Sequence, residues 1–220
     1  MKRMIRAALI LTFLISSAAL SEALKIEITQ GVSSAQPIAV VPFLNTQSTS
    51  ALPVDIAQII SDDLVRSGRF KSLSRFDMLN KPSSAEQVNF RNWQALGQDN
   101  LVIGKVIDNA NGQLTVQFQL FDVYKGEQLT GFSIPANRSD LRAVAHRISD
   151  LIYEKLTGQK GAFSTRMAYV TSMQDLNGQH EYKIQVADAD GFGAKTIVTS
   201  SEPIMSPTWS PAGDKISYVS

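Results

Sequence analysis

The chain has 220 residues, 21 basic and 20 acidic, with no cysteine. Taking Lys2, Arg3 and Arg6 from the 21 basic residues leaves 18 against 20 acidic ones, so the rest is near neutral and has no basic field for nucleic-acid phosphates. Without cysteine there are no thiol nucleophiles, disulfides or thiolate metal sites.

Lys2, Arg3 and Arg6 precede the apolar run Ala7-Ala8-Leu9-Ile10-Leu11-Thr12-Phe13-Leu14-Ile15, and the small residues Ser16-Ser17-Ala18-Ala19 follow it. The run is about nine residues, short of the ~20 that a spanning helix needs, and the whole reads as a secretory signal. Cleavage after Ser21 or after Ala23 satisfies the small-x-small rule equally well. With no lipobox cysteine, the product is expected to be free and exported. Next, Leu24-Lys25-Ile26-Glu27-Ile28-Thr29 alternates apolar and polar up to Gly31, the pattern of a half-buried strand. Two fates are open to it: pairing within its own domain, or addition to another protein's sheet edge.

Pro37-Ile38-Ala39-Val40-Val41-Pro42-Phe43 is a continuous apolar run, which predicts a strand buried on both faces. A polar loop over 45–50 follows. Pro53 is expected to open a helix with Ile56, Ile59, Ile60 and Leu64 on its buried stripe, closed by Gly68. Asp62 and Asp63 are neighbours on that helix and diverge by about 100°, so they are read as a solvated face rather than an acid–base pair. The stretch 70–87 looks irregular, and 90–96 predicts a short helix capped by Gly97.

Three strands are then expected, over 101–107, 114–123 and 129–134, joined by Asn109-Ala110-Asn111-Gly112 and Lys125-Gly126 turns. Ser139 is expected to cap a long helix with Leu141, Val144, Ala145, Ile148, Leu151, Ile152 and Leu156 on its buried side, stopped by Gly158. This is a mixed-sheet α/β domain. From Phe163 the period becomes 2: strands over 166–170, 180–186 and 196–198 are separated by Asn177-Gly178 and Asp188-Ala189-Asp190-Gly191 turns. Last comes Trp209-Ser210-Pro211-Ala212-Gly213-Asp214, a turn between two strands. A W-S-P-x-G hairpin is the repeat signature of one class of β-propeller blade.

Little here carries chemistry. His146 lies off the apolar stripe of its helix and His180 starts a hairpin strand, and neither has triad partners at a convincing spacing. There is no G-x-S-x-G. Asp188-x-Asp190-Gly191 resembles the opening of a calcium loop but lacks the later ligands, so it reads as a turn. No cofactor motif, catalytic residue or metal set is assigned.

The order of these parts resembles the TolB family of the Gram-negative Tol-Pal system. The likeness is carried by Pro37-Ile38-Ala39-Val40-Val41-Pro42-Phe43, by Ala145-His146-Arg147-Ile148-Ser149-Asp150-Leu151-Ile152-Tyr153-Glu154-Lys155-Leu156-Thr157-Gly158, by Lys160-Gly161-Ala162-Phe163 and by Met205-Ser206-Pro207-Thr208-Trp209-Ser210-Pro211. Ala212 departs from it: the repeat usually has Asp or Asn there, and its absence removes a side-chain acceptor from the turn.

The resemblance implies a non-catalytic periplasmic interaction protein that supports outer-membrane integrity and constriction at division. It implies that the segment Glu22, Ala23, Leu24, Lys25, Ile26, Glu27, Ile28, Thr29, Gln30, Gly31, Val32 and Ser33 binds the carboxy-terminal domain of TolA. It further implies that the propeller binds the lipoprotein Pal, through residues beyond Ser220. The expected organisation is a signal over 1–21, an extended segment over 22–36, an α/β mixed-sheet domain over 37–158, a linker over 159–162 and the start of an all-β propeller over 163–220. About 60 residues after the linker make roughly one and a half blades, against the four or more of a closed propeller. The chain is therefore expected to be part of a longer protein, with Pal binding lost or weakened. The alternative is the first part of a secreted propeller-containing serine peptidase, whose blades share the W-S-P-x-G repeat.

Overall fold

The computed structural model describes residues 35–46, 51–109 and 112–220; the expected signal and the segment 22–33 lie outside them. The apolar run after Pro37 gives β1 (Gln36–Val40) and a short β2 (Leu44–Asn45). Sequence reading expected one strand here. Pro42, which has no N–H to give a ladder, falls between the two pieces. Both still pair in parallel with β4 (Asn100–Asp108), β1 at 100–102 and β2 at 105–106.

Helix α1 (Ile56–Arg66) begins three residues later than Pro53 suggests. Asp55 is its N-cap and accepts the Gln58 N–H at 3.0 Å, satisfying one of the free donors of the first turn. The stretch expected to be irregular contains β3 (Phe70–Ser72), parallel to β1 at the sheet's edge, and a 3₁₀ turn over Ala85–Gln87. Helix α2 (Phe90–Ala95) ends before Gly97, whose φ of 68° is the left-handed conformation glycine tolerates.

Strands β4, β5 (Leu114–Asp122) and β6 (Glu127–Ala136) form the expected antiparallel meander, so the sheet order is β3-β1-β4-β5-β6. Ser139 does not cap the next helix. A 3₁₀ turn over Arg138–Asp140 comes first, and the Ser139 hydroxyl donates to Asp140 instead. Helix α3 (Leu141–Thr157) follows, ending at left-handed Gly158.

Period-2 alternation lets the sheet bury both faces. Ile38, Val40, Val102, Val116, Phe118 and Leu120 pack under α1 and α3, with Ile60, Leu64, Ile148 and Ile152 opposite them. Ala39, Val41, Leu101, Ile103 and Phe121 pack on the other side against Trp93 of α2. Each Val, Leu, Ile or Phe side chain among them contributes about 1.5–3 kcal/mol on removal from water.

Beyond α3 the chain is all strand: β7 (Arg166–Gln174), β8 (His180–Asp188) and β9 (Lys195–Ser200) form one antiparallel sheet, and β10 (Met205–Trp209) pairs with β11 (Ile216–Val219). In the last hairpin Ser210 takes over the acceptor role that Ala212 cannot fill: its Oγ accepts the Asp214 and Lys215 N–H groups. Ile184 and Ala187 are buried, whereas Met167, Ile197, Tyr218 and Val219 are exposed. The fold is a mixed α/β domain followed by the strands of a partial propeller.

Candidate functional site

Among the described residues, a connected set of charged and polar side chains gathers where α1, α3 and the β8–β9 turn meet. Asp63 of α1 is 1% exposed, not on a solvated face; only its neighbour Asp62 is exposed. The reading failed because α3 crosses that face of α1. Asp63 Oδ1 accepts from Arg66 Nη2 at 2.7 Å, and its Oδ2 accepts the Ser149 hydroxyl at 2.8 Å. His146 Nδ1 lies 2.7 Å from the same Oδ2.

His146 is itself buried, and its Nε2 has no hydrogen-bond partner among the protein atoms. Nε2 points toward Asp190 Oδ2, 3.8 Å away. That oxygen also takes Arg142 Nη2, while Arg142 Nε reaches Asp188 Oδ2 at 3.2 Å. The guanidinium carbon sits 3.9 Å from the centroid of the Phe192 ring, a cation–π contact. Burial opposes ionisation of Asp190, but the Phe192 N–H at 3.0 Å, the Arg142 guanidinium and His146 together hold its carboxyl below the ordinary value.

Arg142, His146 and Ser149 recur at i, i+4 and i+7, so α3 carries a polar stripe beside its apolar one. That spacing was the one signal sequence reading could have used; the partners Asp63 and Asp190 come from 83 and 44 residues away in the chain. Asp188 and Asp190, read as turn residues, do form the β8–β9 turn, and they also anchor Arg142. The donor atoms of His146, Asp188 and Asp190 lie within 4.8 Å of one another, but Arg142 already holds both carboxylates. His180 stands apart, stacked on Tyr182 with ring centroids 5.9 Å apart.

Next to this cluster an open cleft of about 680 Å³ is lined by Arg142, Arg166, Phe192, Ile197, Trp209 and Ile216. Trp209 of the W-S-P-x-G hairpin lies under the Arg166 guanidinium, whose carbon is 5.4 Å from the indole ring centroid. No helix among the described residues is long and apolar enough to cross a membrane. The segment 22–33, where partner binding is expected, lies outside the described residues.

A mixed α/β domain running through one long helix into propeller strands defines the class: a two-part protein whose geometry is set by the junction just described. Residues 24–129 match the family model of the TolB amino-terminal domain, and residues 153–220 match that of the TolB beta propeller domain. The chain belongs to the TolB family. It is 48% identical over 213 residues to the Tol-Pal system protein TolB of Nitrosococcus oceani, covering 96% of this chain and 48% of that protein. It is 46% identical over 220 residues to the TolB of Thioalkalivibrio sulfidiphilus, covering 100% of this chain and 50% of that one. The crystal structure of TolB from Acinetobacter baumannii superposes with a TM-score of 0.71 at 38% identity, over 84% of this chain and 44% of that chain. The chain thus spans about half the length of the curated relatives it matches.

Proposed function

We propose that this chain is a non-catalytic, periplasmic component of the Tol-Pal system, acting through protein–protein contacts that support outer-membrane integrity and constriction at division. Membership of the family, through both matched regions, carries this reading. Of its two histidines, His146 is buried and held by Asp63, and His180 is stacked on the half-buried Tyr182. Contact with the carboxy-terminal domain of TolA is assigned to residues 22–33. Their alternation of Leu24, Ile26 and Ile28 with polar residues suits strand addition, in which backbone hydrogen bonds give affinity and alternate side chains give specificity. Contact with Pal is assigned to the propeller.

The test compares the chain without its signal and a version also lacking residues 22–33 for binding to the TolA domain, by calorimetry. The reading expects binding from the first and a loss of at least about tenfold from the second, since the deleted segment would supply most of the backbone pairing. Equal affinities would overturn the assignment.

A further inference from the structure

Nε2 of His146 is a buried nitrogen with no hydrogen-bond partner among the protein atoms. The groups facing His146 come from three places. Asp63 and Arg66 lie on α1, Arg142 and Ser149 on α3 itself, and Asp188 and Asp190 at the β8–β9 turn. Arg142 is divided between Asp188 and Asp190, and beyond it Arg166 of β7 stands opposite Asp188 in the sheet and lines the adjoining cleft with Lys195 of β9. With the ring neutral and Nδ1 donating to Asp63, the Nε2 lone pair faces the Asp190 carboxylate at 3.8 Å, acceptor against acceptor.

We propose that His146 is a proton-operated latch between the α/β domain and the propeller strands. Uptake of one proton from solvent at Nε2 turns the ring into a donor at both nitrogens. Asp63 of α1 then accepts from one side and Asp190 of the β8–β9 turn from the other. The turn is thereby drawn onto α3. Such charge-assisted hydrogen bonds are shorter and stronger than neutral ones. The reversal of roles needs only a small closing movement, since Asp190 is already held at hand by Arg142 and by the Phe192 N–H. A divalent cation would bridge the same ring and carboxylates, but it would have to evict Arg142 from both carboxylates and from the Phe192 ring.

The latch is tested on the whole chain by two readouts at about pH 5.5 and about pH 7.5, a span over which histidine is the side chain that changes charge. Imidazole nitrogen NMR of histidine-labelled protein is expected to show both His146 nitrogens protonated at the lower pH and one at the higher. Exchange protection of the Asp188, Gly191 and Phe192 amides, corrected for intrinsic rates, is expected to be about tenfold greater at the lower pH, the scale of one charged hydrogen bond. His146→Gln keeps a donor for Asp63 but takes no proton, and should level the two values. Asp190→Asn changes only the turn side of the latch, should do the same, and decides the question alone if the buried substitution does not fold. Protection that is independent of pH in the unaltered chain, or that keeps its pH dependence in Asp190→Asn, would overturn the proposal. So would stabilisation of these amides by zinc or manganese that is reversed by a chelator and lost in His146→Gln, because a metal would then bridge the ring to the turn.

Discussion

Asp150, halfway along α3, accepts the backbone N–H of Phe163 at 2.8 Å. The same carboxylate takes the Ser164 N–H at 3.1 Å and the Ser164 hydroxyl, so the connection from helix to strands is bound to the helix rather than slung from its end. Phe163 then packs edge-on against Tyr153 of α3, with centroids 5.6 Å apart. Asp150→Ala removes the shared acceptor and is expected to lower stability by about 1–3 kcal/mol, the cost of leaving polar groups without partners. Limited proteolysis should show faster cutting between Thr157 and Phe163. Urea unfolding and cleavage rates that match the unaltered chain would contradict this account.

Two adjacent aspartates should behave oppositely. Asp63 is buried against Arg66, His146 and Ser149, whereas Asp62 is exposed and meets only the Gln58 side chain, at 2.8 Å. Asp63→Ala strands a buried histidine and a guanidinium and should cost about 3–5 kcal/mol, whereas Asp62→Ala should stay within about 0.5 kcal/mol. Chemical denaturation of both variants measures the contrast.

This pair also shows what the sequence could and could not carry. Apolar periodicity located α1, α3 and the meander, because burial imposes the period directly on the residues of each element. It also expected a single face for Asp62 and Asp63, because one helix alone cannot reveal which neighbour will cross it. The short β3 escaped notice for a related reason: three residues are too few to show a period, and its partner β1 lies more than thirty residues earlier. At Ser139 a side-chain hydroxyl looked like a cap, yet Asp140 and Asn137 closed the turn instead. For residues 22–33, where partner binding is proposed, only the alternation over 24–29 was legible, and they lie outside the described residues.

Gly104 in β4 has no room for a side chain. A Cβ there would lie 2.4 Å from Cε2 of Phe43, whose ring covers the strand between β1 and β2. Gly104→Ala should therefore destabilise by about 1–3 kcal/mol, the usual cost of overpacking. Phe43→Ala opens the space, so the double variant should be less destabilised than the sum of the two single ones. Additive effects in a double-mutant cycle would show that the ring does not press on this strand.

The acid limb of the stability curve should depend on Asp190. Its carboxyl is held below the ordinary value: burial opposes this but is outweighed by the Phe192 N–H, Arg142 and His146. A carboxyl depressed in the folded state binds fewer protons there than in the unfolded chain, whose aspartates titrate near about 3.9. Its stabilising contribution is therefore full above that value and is lost as pH falls through the folded one. Urea unfolding between about pH 5 and pH 2 should accordingly show a steeper acid loss for the unaltered chain than for Asp190→Asn, which has no charge to lose. The sign is opposite to that of the proposed His146 latch, which would tighten as protons are added. Parallel acid limbs would mean that the Asp190 carboxylate contributes nothing to holding the β8–β9 turn on α3.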